Sequence, residues 1–265
     1  MEQKHTVGSL LKQWRTRRRL SQLALALEAQ ISQRHLSFLE SGRSQPSRDM
    51  ILQLAEHLGL PLRDRNLMLN AGGYAAQFPQ RPLDAPDLSA AREAVSRILR
   101  GHLPHPALAV DRHWTLLAAN AAVPYLLTGV APHLLAGEVN VLRVSLHPEG
   151  LAPRILNLGA WRAHVLARLD HEIEATADAR LAALRTELTA LPCPEPAKQP
   201  RMPRQPQDIA VPLRLKSSRG PLSFISTTTV FGTAVDVTLS EVTIEAFFPA
   251  DQDTAEAMAG LDLGS

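Results

Sequence analysis

The 265-residue chain has little of what staples a protein or inserts it into a membrane. Its one cysteine, Cys193, can form neither an internal disulfide nor a thiolate metal cluster. No run of about 18 uncharged apolar residues occurs, so a membrane-spanning helix is excluded. The opening MEQKHTVGSLLKQWRTRRRL is charged throughout and lacks the apolar core of a secretory signal. These absences lead us to expect a cytoplasmic protein. The patterns G-x-G-x-x-G, Walker loop, H-E-x-x-H and G-x-S-x-G are all missing. We therefore expect no catalytic residues, no metal and no cofactor. Aromatic residues make up only 4% of the chain, but 45% of it is apolar and 20% charged, enough to bury two cores.

The charge is uneven. Through Phe78 the chain has eleven basic and six acidic side chains, and the remainder has seventeen and twenty. A basic head on a mildly acidic body suits one end to a polyanion.

The head reads as five short helices. Val7, Leu10, Leu11 and Trp14 fall at i, i+3, i+4, i+7 and give the first helix one apolar face. Ser21, Ser32 and Ser47 are N-caps for the second, third and fourth. Gly42 and Gly59 suit the left-handed position just past a helix end. A fifth helix runs from about Leu62 to Asn70. Within this set, Ser21–Gly42 has the layout of a helix-turn-helix. Ala26 allows close approach of the pair, and Leu36 and Leu39 face inward. The second helix offers Gln33, Arg34, His35 and Ser37 on its outer face. A helix fits the major groove of B-DNA, and Arg and Gln are the usual readers of guanine and adenine edges.

These residues resemble the lambda-repressor-like, xenobiotic-response-element type of helix-turn-helix regulator. The resemblance covers about Val7 to Gly73. It is carried by Leu20-Ser21-Gln22, by the S-F-L-E-S-G of Ser37 to Gly42 and by Gln45-Pro46-Ser47. It implies double-stranded DNA as partner, with Gln22 on a phosphate and Ser32, Gln33, Arg34, His35 and Ser37 at the groove. Arg43 and Arg48 would touch the backbone. It also implies a structural ion pair between Arg15 and Glu40. In one departure, Gln30 stands where such turns usually have a glycine at positive φ. A non-glycine residue there costs about 1 kcal/mol.

Residues 79–87 contain three prolines and read as a linker, so domain boundaries are expected at 1–78 and 88–250, with a tail at 251–265. The second domain begins with a helix at 88–100. The run Ala107–Val110, polar Asp111-Arg112-His113, the run Trp114–Ala118 and a helical stretch to Leu127 read as strand, turn, strand, helix. Two helices are expected at 151–174 and 179–191, then a proline-rich loop at 192–206. Residues 209–248 are expected to form three antiparallel strands broken at 217–220 and 232–233. Asp170, Glu172 and Glu174 read as exposed helix charges.

From Pro106 to about Ala250 the chain resembles the ligand-binding domain of MmyB-like transcription regulators. The matching stretches are Val110–Ala121, Val144–Arg154, Ser226–Thr233 and Glu245–Asp251. The fold class implied is multidomain: an all-α five-helix helix-turn-helix bundle, then an α+β PAS-like domain with an antiparallel sheet. The resemblance implies a small-molecule sensor that takes an apolar or fatty-acid-like ligand, and a homodimer. Wall candidates are Trp114, Leu116, Tyr125, Trp161, Phe224 and Phe231; anchor candidates are Asn120, Arg143, His147 and Arg154. The alternative is an antitoxin-like or phage-repressor-like regulator whose larger domain binds a protein partner. An enzyme with a DNA-binding head is a third class, for which the sequence offers no set of catalytic groups.

Overall fold

A computed structural model describes residues 6–193 and 211–261. The chain divides into two compact units. One is Met1–Pro82 with Thr233–Ser240, and the other is Leu83–Gly232 with Glu241–Ser265. Among the described residues no helix is long and apolar enough to cross a membrane.

The first unit contains α1 (Val7–Arg17), α2 (Gln22–Glu28), α3 (Gln33–Glu40), α4 (Arg48–His57) and α5 (Leu62–Ala71). Each start has a local cause. The side chains of Thr6, Ser21, Ser32 and Ser47 accept from the backbone N–H groups of Ser9, Ala24, His35 and Met50. Gly42 and Gly59 take φ values of +73° and +60° just past α3 and α4. Leu11, Leu25, Leu36, Ile51, Met68 and Leu69 have no solvent exposure and form one core. A Cβ on Gly8 would stand 2.4 Å from the Leu39 carbonyl oxygen, so α1 lies hard against the end of α3.

Gln30 adopts φ +54°, the left-handed geometry that a glycine would take without strain. Ile31 N–H then donates to Ala26 O at 2.9 Å, which closes the turn. Past α5, Asn66 pins the departing chain: its Oδ1 accepts from the N–H groups of Gln77 and Phe78, and its Nδ2 donates to Phe78 O. The short helix that later becomes α11 in chain order (Val237–Ser240) also belongs to this unit, and Val237 N–H donates to Pro79 O at 2.8 Å.

The second unit opens with α6 (Ser89–Gly101). A five-stranded antiparallel sheet follows: β1 (Ala107–Val110), β2 (Leu116–Ala119), β3 (Leu213–Ser217), β4 (Gly220–Val230) and β5 (Thr243–Pro249), in the order β2-β1-β5-β4-β3. Between β2 and β3 come α7 (Val123–Leu126), α8 (Val141–Leu146), α9 (Leu158–Thr176) and α10 (Ala179–Ala190). Helices pack on both faces of the sheet. Val95 and Leu99 of α6 pack with Ala107, Ala109 and Ile244 on one side. On the other side, α7 to α10 and the sheet form the largest core, with Trp161, Val165, Leu169, Leu215 and Phe224 inside it.

Four expectations change. Trp114 does not begin a strand: it sits at φ +67° in a turn built on Asp111, and β2 starts at Leu116. Residues 151–157 are not helix; a short 3₁₀ turn at Ala152–Arg154 precedes α9. The third strand starts at Thr243, because Asp236 Oδ1 accepts from the Thr238 and Leu239 N–H groups and turns the chain into α11 instead. The tail contains α12 (Gln252–Ala259), capped by Asp251. The proline-rich stretch at 192–206 lies, from residue 194 on, outside the described residues.

The strained turn gives a direct test. Gln30→Gly is expected to stabilise the chain by about 0.5–1 kcal/mol. It would be read as a raised urea midpoint of the helical unit, and a lowered midpoint would show that the left-handed residue is not strained.

Candidate functional site

The first unit presents α3 as an open helical edge. Ser32, Gln33 and Arg34 are exposed, and His35 and Ser37 are half-buried, while Leu36 and Leu39 lock the inner face into the core. The Arg34 guanidinium lies 5.3 Å from the centre of the Phe38 ring, and that of Arg43 lies 5.9 Å from it. One ring thus steadies two cations from opposite ends of the helix. Arg48 is exposed and donates to Gln77 Oε1 at 2.7 Å.

Glu40 fixes how α3 is set. Arg15 Nε donates to Glu40 Oε1 at 2.5 Å and Nη2 to Oε2 at 3.0 Å, with side-chain exposures of 12% and 3%. Arg15 Nη1 also donates to Leu20 O. The bond to Glu40 raises the pKa of the Arg15 guanidinium above its ordinary value. Gln22 Nε2 donates to Glu40 Oε2 at 2.7 Å. In this structure Gln22 is therefore turned toward Glu40 and not out toward a phosphate.

The second unit has an apolar cavity of about 100 Å³ between the sheet and α7, α8 and α9. Leu108, Leu116, Leu213 and Phe247 line it from the sheet. Val123, Leu126, Leu142, Val144, Trp161 and Val165 line it from the helices, and Trp114 from the turn. Its polar lining consists of Ser145, His164, Arg168, Ser226 and Glu245.

The charged residues there form one network. Arg168 Nη2 donates to Glu245 Oε1 at 2.7 Å and Nη1 to Oε2 at 3.1 Å. Arg168 Nε donates to Glu172 Oε1 at 3.3 Å, and Trp114 Nε1 donates to Glu172 Oε2 at 2.8 Å. The guanidinium also stacks 4.4 Å from the Trp114 ring centre. Thr228 Oγ1 donates to Glu245 Oε1 at 2.9 Å. Burial works against the Arg168 charge, but the bonds to Glu245 and Glu172 outweigh it and leave the pKa raised. Burial pushes the Glu172 carboxyl upward, against its bonds to Trp114 and Arg168. Burial, and then the nearby Arg168 charge, lowers the His164 pKa, so that imidazole is neutral at pH 7.

Only three of the residues expected at the cavity line it: Trp114, Leu116 and Trp161. The anchors are engaged elsewhere. Arg143 forms a two-pronged pair with Glu187 at 2.5 and 2.8 Å. Arg154 donates to the carbonyls of Leu126, Thr128 and Lys216. Asn120 is 6% exposed, and its amide ties Leu99 O and His105 O to the N–H groups of Ala107 and Ala122. His147 Nδ1 accepts from Glu149 N–H. Phe224 is fully buried core, Phe231 packs with the α6 cluster, and Tyr125 packs against the main core without lining the cavity. Glu172 is not the exposed helix charge expected of it. Arg168, Glu245, His164, Ser145 and Ser226 were not candidates at all. The available signal was spacing: Trp161, His164, Val165, Arg168 and Glu172 share one stripe of α9, so the charges interrupt an apolar face. His133, His147 and Glu149 bring three possible metal-ligand atoms within 4.8 Å of one another, and none of the three lines the cavity.

Two family models match the chain. One, described as the MmyB-like transcription regulator ligand binding domain, matches residues 91–261. The other, described as helix-turn-helix, matches residues 11–64. The chain belongs to the MmyB-like transcription regulators. It is a DNA-binding regulator with a ligand-sensing domain; the helix-turn-helix match lies within the first unit, and the longer match covers most of the second unit together with Thr233–Ser240 of the first. No curated protein matches it.

The buried pair in the DNA-binding unit predicts a graded outcome. Glu40→Ala leaves Arg15 buried and unpaired and is expected to destabilise this unit by about 3 kcal/mol. Replacing both residues with apolar ones of similar size should cost much less, as chemical denaturation of the single and double variants would show.

Proposed function

We propose that this regulator binds a specific DNA sequence as a homodimer in the cytoplasm and senses a small apolar, lipid-like ligand in the cavity of its second unit. The apolar lining carries this reading: hydrocarbon walls from four strands and three helices converge on one space. The fatty-acid-like expectation is supported by that lining for the chain of the ligand, whereas Arg143 and Arg154 do not supply a head-group anchor. We assign no catalytic step to the protein.

The cavity is smaller than the roughly 300–1,000 Å³ of most ligand sites. An alkyl ligand therefore has to spread α7, α8 and α9 away from the sheet. A ligand acts on DNA binding to the extent that it favours one arrangement of the protein over another.

A second reading, a regulator whose larger unit grips a protein partner, is supported by a different feature. Ile225 and Phe248 are cross-strand partners on β4 and β5, and both are more than one-third exposed. An apolar pair on the outer sheet face suits a protein surface.

Two measurements test the leading reading. Arg34→Ala should weaken binding to the operator about 10- to 100-fold in a titration, with a much smaller loss on random DNA. Equal losses would make Arg34 a backbone contact only. Val165→Phe should fill the cavity and abolish co-purification of a small molecule in native mass spectrometry, with the thermal transition retained. A ligand that survives the substitution binds elsewhere.

A further inference from the structure

The polar end of the cavity has a charge balance that bears on what the ligand can be. Two carboxylates, Glu245 and Glu172, surround one guanidinium, Arg168. Both terminal nitrogens of that guanidinium are already taken two-pronged by Glu245, whose side chain is 6% exposed. An incoming carboxylate could claim the fork only by displacing Glu245, which would keep Thr228 as its partner. A buried carboxylate stripped of its counter-charge is strongly disfavoured. An incoming ammonium meets the opposite difficulty. Glu245, which lines the cavity, is already neutralised by Arg168, and Glu172, which does not line it, has both oxygens engaged by Arg168 and Trp114, so a second cation would lose its water without gaining a free counter-charge.

What remains on offer is hydrogen-bond donors. Each terminal nitrogen of Arg168 has a second N–H beyond the one given to Glu245. Ser145 Oγ accepts from Trp161 Nε1 at 2.9 Å, which leaves its own proton to donate. His164 and Ser226 add a ring nitrogen and a second hydroxyl to the same lining. These groups match an oxygen acceptor without formal charge.

We infer that the cavity selects an uncharged amphiphile, an alkyl chain ending in a hydroxyl, ester or amide, and discriminates against the free carboxylate of the same chain. The inference rests on the cavity being the ligand site and specifies the head group. Arg168 and Glu245 thus act as a closed pair that offers no free counter-charge to an acid or an amine.

The test uses the full chain and three chain-matched probes, decanol, decanoate and decylammonium, each competing at neutral pH with the uncharged dye N-phenyl-naphthylamine. Decanol is expected to bind at least about tenfold more tightly than either charged probe. Decanoate or decylammonium binding as well as decanol, or better, overturns the inference while leaving the cavity as the ligand site. Failure of the dye and all three probes to bind removes the cavity reading itself, and the inference with it. In Glu245→Gln the fork of Arg168 loses its counter-charge, and the preference for decanol over decanoate should collapse or invert. An undiminished preference in the folded variant places the discrimination elsewhere and overturns the inference. Should that variant not fold, the ranking in the natural chain decides alone.

Discussion

An amphipathic helix packed on an apolar core can rotate or slide by a fraction of a turn at little cost, because dispersion and burial are nearly indifferent to direction. A buried ion pair is not indifferent. Glu40 ends α3 almost without exposure and is bonded to Arg15 of α1 and to Gln22 of α2. The direction in which Gln33 and Arg34 project therefore depends on one carboxylate. In the second unit, α9 is tied to β5 in the same way by Arg168 and Glu245. In both places the setting of a helix is fixed by charge geometry, and leucine packing supplies the cohesion.

How much was legible in the sequence follows from how local each cause is. Ser21, Ser32 and Ser47 act within three residues, and Gly42 and Gly59 act on their own backbone, so the helical unit could be read from the chain alone. Gln30 could be read as well, since its positive φ is demanded by the turn rather than by a distant contact. The misplaced third strand shows the limit. Residues 234–242 have the Val and Thr content of a strand, but Asp236 satisfies two backbone N–H groups locally and diverts the chain.

The cavity chemistry was less legible for a related reason. An arginine in an Ala- and Leu-rich helix is ordinary at the surface, and Arg168 is distinguished by Trp114, 54 residues back, and Glu245, 77 residues further along. The reverse error affected Arg143 and Arg154. Both are well placed in sequence to hold an anion, and both are occupied by groups that only the fold brings near: Glu187 for one, three backbone carbonyls for the other. Asn120 likewise spends all its amide capacity on the backbone around β1.

Under the proposed ligand role, the small volume of the cavity governs how such a regulator responds to concentration. Part of every guest's intrinsic affinity is consumed in prising the walls apart, so the observed threshold lies above what the lining alone would set. Substitutions that loosen α7 or α8 without touching the guest would lower that threshold. Sensitivity in this protein is therefore adjustable from the packing around the chamber, independently of the groups that recognise what enters it.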